Sequence, residues 1–201
     1  MRFLRSENIF YNSASISQLD RQLLYSHKSC VLWLTGLSGS GKSTIAFELE
    51  KCLFMNKIKT YVLDGDNLRT GLNQNLGFSV DDRMENNRRI AEVAKLFIDA
   101  GIFTICASIS PFREGRLLAR QLFQPGRFFE IYIDCPVNEC IRRDPKGLYS
   151  KAASGEISNF TGISASYEAP DRPDLVVKTD RLTIEESVQK IIQFINSNEL
   201  I

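Results

Sequence analysis

Residues 31–45 read VLWLTGLSGSGKSTI. The first four, Val31–Leu34, are an unbroken apolar run too short for a helix, and they read as a buried strand. Gly36-Leu37-Ser38-Gly39-Ser40-Gly41-Lys42-Ser43 follows at once and matches G-x-x-x-x-G-K-[ST]. Ile45, Leu49, Cys52 and Leu53 then recur at helical spacing. Strand, glycine turn and helix are the context that a phosphate-binding loop requires. The glycines let backbone N–H groups turn inward onto phosphate oxygens, and the helix N-terminus adds partial positive charge there. Lys42 supplies a point charge between β- and γ-phosphates, and the Ser43 hydroxyl is a Mg²⁺ ligand. Residues 36–44, Thr44 included, are the expected nucleotide cradle. The guanine-reading [NT]-K-x-D pattern is absent, Val177-Lys178-Thr179-Asp180 coming one residue short, so ATP is preferred to GTP.

Outward from this stretch, Tyr61–Leu63, Ile102–Ala107, Phe128–Ile133 and Leu175–Val177 repeat the pattern of short runs rich in β-branched and aromatic residues. Between them lie helical periods: Ile90, Val93, Ala94 and Phe97 end at Gly101, which suits a helix stop. Thr183 and Glu186 make a capping box before the stripe Ile184, Val188, Ile191, Ile192 and Ile195. Strand and helix alternate, which predicts a three-layer α/β domain around a mostly parallel sheet, the architecture of P-loop nucleoside triphosphate hydrolases. Two segments fall outside that rhythm. Residues 1–29 form a polar N-terminal extension with a short helix near Leu19–Tyr25. Within the kinase-like domain 30–201, residues 144–174 carry Pro145, Gly147, Gly155, Gly162, Pro170 and Pro173 without a strand, and read as a mobile lid.

Composition narrows the functional classes. The 201 residues are 43% hydrophobic and 24% charged, enough apolar material for one full core. Lys+Arg 25 against Asp+Glu 24 leaves a net charge of +1, which argues against nucleic-acid binding through a general basic field. No leader-like apolar core and no run approaching eighteen apolar residues is present, so a cytoplasmic protein without a membrane role is expected. The five cysteines, with no C-x-x-C, read as buried free thiols, and the single histidine, His27, as a surface or packing residue.

Asp64-Gly65-Asp66 puts two acids at the carboxyl end of the second strand, the edge where open α/β sheets bind ligands. One such carboxylate can accept a proton from an attacking hydroxyl while the other holds metal-bound water, and either can instead cap the helix that begins near Asn67. From Arg69 to Arg89 four arginines gather: Arg69, Arg83, Arg88 and Arg89. Arg69 and Arg83 are expected to fork onto an anionic acceptor with Phe78 as a flat face for a base, while Arg88 and Arg89 suit equally well surface pairing with Asp81, Asp82 and Glu85.

Taken in order, WLTGLSGSGKST (33–44), DGDN (64–67), R-x-G-L-N-x-x-L-G-F-S (69–79), D-R-x-E-N-x-R-R (82–89), ISPFR (109–113), RDPKGLY (143–149) and FTG (160–162) resemble the adenylylsulfate kinases over about residues 30–180. The resemblance implies a homodimer that uses ATP with Mg²⁺ to phosphorylate the 3′-hydroxyl of adenosine 5′-phosphosulfate, in sulfate assimilation. It implies that Arg69, Phe78, Arg83 and Asn86 hold the acceptor, with Ile109 and Ser110 at the end of the third strand and Lys146, Leu148 and Phe160 closing from the lid. Lys42, Asp64, Asp66 and Ser110 would be catalytic, Ser110 matching the serine that the family marks as a phosphorylated intermediate. Direct in-line transfer has no need of that intermediate. Arg142 and Arg143 would stack on adenine or steady the transferring group. Ile141 stands where many relatives carry an acid, and Asn8-Ile9-Phe10-Tyr11 is only loosely similar to the family's N-I-x-W-H. The competing expectations are a kinase for another small metabolite, such as a sugar acid or nucleoside monophosphate, and a non-catalytic ATP-binding regulatory module.

Overall fold

A computed structural model describes residue 10 and residues 12–201; Asn8, Ile9 and Tyr11 lie outside the described residues. Five strands, β1 (Val31–Thr35), β2 (Thr60–Asp64), β3 (Phe103–Ala107), β4 (Phe128–Asp134) and β5 (Leu175–Lys178), form one sheet in the order β2-β3-β1-β4-β5. All four pairings are parallel. Every expected strand is present, each within a residue of its expected limits.

The central strand explains the layering. Successive side chains of β1 point to opposite faces, and all five of its residues are buried. Leu32 and Leu34 join the core under α2 (Lys42–Met55) and the last helix, α8 (Ile184–Ser197), with Ile45, Leu49, Val188 and Ile191. Val31 and Trp33 face the other way, into Ile90, Ala91 and Ala94 of α4 (Val80–Asp99) and Ala119 of α5 (Arg113–Arg120). The chain leaves β1 toward β2 and β3 on one side and then crosses to β4 and β5 on the other, so a crevice opens at the carboxyl end of β1.

Helix ends follow local chemistry. Thr183 and Glu186 exchange the capping-box bonds expected of them at the start of α8. α4 stops in a Schellman pattern, Ile102 N–H bonding Phe97 O and Gly101 N–H bonding Ile98 O, with Gly101 at φ +82°. The polar N-terminal region holds α1 (Gln18–Tyr25), whose Gln18 and Arg21 donate to the Ile98 and Asp99 carbonyls. His27 is a packing residue: its Nε2 accepts the Lys59 N–H and its Nδ1 lies 2.8 Å from Lys28 O. All five cysteines are free; four are buried and Cys52 is half-buried.

Three short helices complete the chain: α3 (Gly65–Leu68), α6 (Val137–Arg143) and α7 (Leu148–Ala153). α7 lies inside residues 144–174, which otherwise contain a single bridge between Thr161 and Ala165. This excursion has its own small core, in which Tyr149 and Phe160 meet edge to face at 4.9 Å beside Cys135 and Cys140.

A Cβ on Gly101 would sit 2.9 Å from the Tyr25 ring in a backbone conformation that L side chains resist. Gly101→Ala should therefore cost about 1–3 kcal/mol. Urea denaturation measures this, and an unchanged midpoint would mean that α1 shifts aside freely.

Candidate active site

At the carboxyl edge of the sheet, a cavity of about 1020 Å³ runs from the glycine turn after β1 to the segment between α3 and α4. Its position follows from one close approach. A Cβ on Gly36 would lie 2.5 Å from the Ile133 carbonyl oxygen, so only glycine lets β1 turn out of the sheet against β4 here. Gly36, Leu37 and Ser40 form the back of the turn, while Ser38, Gly39, Gly41, Lys42, Ser43 and Thr44 line the cavity. Thr179 Oγ1 donates to Ser40 O at 2.8 Å, and Tyr149 Oη donates to Ser38 O at 2.9 Å, bracing the turn from β5 and from α7.

Lys42 is buried, and its Nζ donates to Leu37 O at 2.6 Å. Burial pushes its amine down to about 8, against the opposing pull of the Asp66 and Asp64 carboxylates. Ser43 Oγ donates to Asp64 Oδ2 at 2.7 Å. Asp64 Oδ1 meanwhile accepts the Asp66 and Asn67 N–H groups, so Asp64 is the cap of α3 as well as the partner of Ser43. Asp66 is mostly exposed and pairs with Lys146, which reaches over from the excursion. The two acids thus have different surroundings: one locked and buried, the other open to the cavity.

The far end is built around Phe78. Arg69 donates to Leu76 O and Gly77 O with its guanidinium 4.5 Å from the ring centre. Arg83 donates to Phe78 O at 2.9 Å and to Asn159 O of the excursion at 2.7 Å. Neither makes an ion pair among the described residues, and burial lowers the pKa of both, Arg83 further so by the charge of Arg69. Asn86 is buried beside them, its Oδ1 accepting from Asn73 Nδ2 at 3.0 Å. Ile109, Ser110, Lys146, Leu148 and Phe160 all line the same cavity.

Two expected site residues sit differently. Arg142 points away from the cavity, 74% exposed at its side chain and paired with Glu139, because its place on α6 turns it to solvent. Arg143, one residue on, lines the cavity and donates to Thr179 O at 2.6 Å. Ser110 reaches the cavity wall, but its hydroxyl accepts from Trp33 Nε1 at 3.0 Å and donates to Ser108 O at 3.3 Å. Arg88 and Arg89 pair with Glu85, as one reading of them held. Thr179 and Tyr149 went unassigned in the sequence; Tyr149 closes the RDPKGLY motif, which was its only signal.

Arg143→Ala is expected to weaken binding of an ATP analogue about tenfold and Arg142→Ala to change it less than twofold. Calorimetric titration of both variants decides between them, and equal losses would mean that α6 reorients when nucleotide binds.

Residues 28–178 match the family described as adenylylsulphate kinase. An adenylyl-sulfate kinase of Staphylococcus haemolyticus is 53% identical over 197 residues, covering 98% of this chain and 99% of that one. The Mycobacterium tuberculosis APS kinase CysC, solved in complex with AMPPNP and APS, superposes with a TM-score of 0.81 at 48% identity, covering 85% of this chain and 99% of that chain. A hexameric APS kinase from Thiobacillus denitrificans gives a TM-score of 0.67 at 30% identity, covering 91% of this chain and 32% of that chain. The chain belongs to the adenylylsulphate kinase family.

Proposed function

We propose that this chain is an adenylylsulfate kinase, moving the γ-phosphate of ATP to the 3′-hydroxyl of adenosine 5′-phosphosulfate and releasing 3′-phosphoadenosine 5′-phosphosulfate. The observation that carries this reading is one cavity with a phosphate cradle at one end and, at the other, two arginines that bond backbone carbonyls and make no ion pair among the described residues. A cradle alone would suit many nucleotide-binding proteins. The paired guanidiniums call for a second, anionic substrate facing the first.

Each residue then has a task. The backbone N–H groups of residues 36–44 and the Lys42 ammonium hold the β- and γ-phosphates, Lys42 leaving the Leu37 carbonyl to do so. Arg143 steadies the nucleotide from α6. Mg²⁺ fits the donor set, since a hydroxyl and a carboxylate oxygen already adjoin at Ser43 and Asp64, and this cation takes few protein ligands beside phosphate and water. When bound with ATP it offsets charge building on the phosphoryl oxygens. Asp66, open to the cavity, accepts the proton of the acceptor hydroxyl. Arg69, Phe78, Arg83, Asn86 and Ile109 hold the adenylyl sulfate, and Lys146, Leu148 and Phe160 cover it. Transfer is direct, because the Ser110 hydroxyl is already engaged by Trp33 and Ser108. In the same reading residues 1–29 extend a kinase domain 30–201, residues 144–174 act as its lid, and the protein is a cytoplasmic homodimer. Light scattering tests the last point against the 22.8 kDa chain mass; a single-chain or hexameric particle would remove the dimer.

Incubating the protein with ATP, Mg²⁺ and adenosine 5′-phosphosulfate should give the 3′-phosphorylated product over many turnovers, as mass spectrometry reads it. Stoichiometric or absent product would sink the assignment. Lys42→Ala and Asp66→Asn should each lower kcat by about 10²–10⁴, whereas Ser110→Ala should stay within tenfold of the parent.

Arg83→Ala should weaken adenosine 5′-phosphosulfate by about 1.5–3 kcal/mol, roughly ten- to a hundredfold, with ATP affinity nearly unchanged. Equal losses for both ligands in separate titrations would take Arg83 out of the acceptor end. Because Arg83 also bonds Asn159 O, proteolysis within 144–174 should slow when both ligands bind. Cleavage at one rate with and without ligands would argue against a lid.

A further inference from the structure

α5 carries an arginine that none of the motifs assigns. Arg116 is 3% exposed, and a guanidinium taken out of water is costly unless its donors are met. Three parts of the chain meet them. Nε donates to Glu130 Oε1 on β4 at 2.5 Å, Nη1 to the Ser110 carbonyl at 2.6 Å, and Nη2 to the Glu168 carbonyl at 2.7 Å. Ser110, whose carbonyl it grips, stands at φ +40°, a conformation that a serine keeps only where its surroundings over-determine it.

Further bonds tie the same junction, among them Arg113 Nε donating to Ala169 O at 2.8 Å. Glu168 N–H donates to Pro111 O and Glu168 Oε2 accepts the Arg113 N–H, both at 2.8 Å. The Tyr167 hydroxyl lies 3.0 Å from Thr35 Oγ1, which itself donates to Ile109 O at 2.8 Å. Ile109 and Ser110 form a wall of the cavity, whereas Arg116 does not reach it. Tyr167 and Glu168 lie on the returning leg of residues 144–174.

We propose that Arg116 is a positioning residue for the acceptor. It fixes the Ile109–Ser110 wall and joins that wall to the returning leg of the excursion, so that the two are set as one unit. This rests on reading the Ile109 side of the cavity as the acceptor's. Only a planar fork reaches three acceptors in different directions; a lysine, with a single ammonium, does not span them. The glycine cradle is braced instead by Thr179 at Ser40 O and by Tyr149 at Ser38 O, and should not respond.

The test uses the full-length Arg116→Lys and Glu130→Gln proteins, with steady-state kinetics against each substrate and hydrogen exchange at the Arg113 and Glu168 amides. For Arg116→Lys, KM for adenosine 5′-phosphosulfate should rise at least tenfold, KM for ATP should stay within twofold and kcat within about threefold, and both amides should exchange at least tenfold faster. Glu130→Gln, which keeps the arginine and its two carbonyl bonds, should shift the acceptor KM in the same selective way by about threefold; it decides the matter alone if Arg116→Lys does not fold. Equal rises for both substrates, faster exchange with an unchanged acceptor KM, or no change at all would each overturn the proposal. If the parent protein itself transfers nothing to adenosine 5′-phosphosulfate, the functional reading fails instead, and the exchange rates still report whether Arg116 ties the junction.

Discussion

The Ile133 carbonyl oxygen lies 2.5 Å from where a side chain on Gly36 would begin. This contact between the end of β1 and the end of β4 sets where the chain can leave the sheet, and with it the place of the whole cradle. Once the turn starts there, its backbone is held from several sides: Ser40 N–H by Leu37 O, Ser40 O by Thr179 and Ser38 O by Tyr149. A loop whose backbone is already held has less to reorganise when phosphate arrives, which is the condition under which fixed dipoles contribute most to catalysis. The Lys42 amine belongs to the same arrangement. Burial weakens its charge, and phosphate oxygens in place of the Leu37 carbonyl would restore it.

Electrostatics sets Arg69 and Arg83 apart from most of the other arginines. Arg88, Arg89, Arg116, Arg120, Arg142 and Arg143 each have a carboxylate within ion-pair distance. Arg69 and Arg83 have backbone carbonyls and an aromatic face instead. A protein with a net charge of +1 has no general field with which to draw an anion in, so selectivity for one must come from such a local excess. The excursion over the cavity is bound to both ends at once, through Tyr149 at the cradle and through the Asn159 carbonyl at Arg83. The two ends of the cavity are therefore joined by one segment.

Adjacent residues show how far a sequence carries such an argument. Arg142 and Arg143 are alike on paper, yet neighbours on a helix point about 100° apart, and only the packing of α6 through Cys140 against Tyr149 and Phe160 sends one to solvent and the other to Thr179. Asp64 and Asp66 were equally placed at a strand end; the cap of α3 and the Ser43 hydroxyl immobilise the first, while the second stays mostly exposed and pairs with Lys146. Arg116 gave no signal at all, because a charged residue on a short amphipathic helix reads as exposed until Glu130 and the chain at 167–168 close over it.

What the sequence determined by itself was whatever depends on near neighbours. The five strands were legible because buried parallel strands are continuous apolar runs, the helix ends because caps act within four residues, and the phosphate loop because its eight residues are contiguous. Strand order, the different surroundings of the two acids, the inward turn of Arg143 and the junction around Arg116 were decided only in the tertiary structure. They depend on groups far apart in the chain, as Trp33 and Ser110 or Arg83 and Asn159 are, and the free energy of a buried hydrogen bond or charge is set by which partner folding brings within about 3 Å.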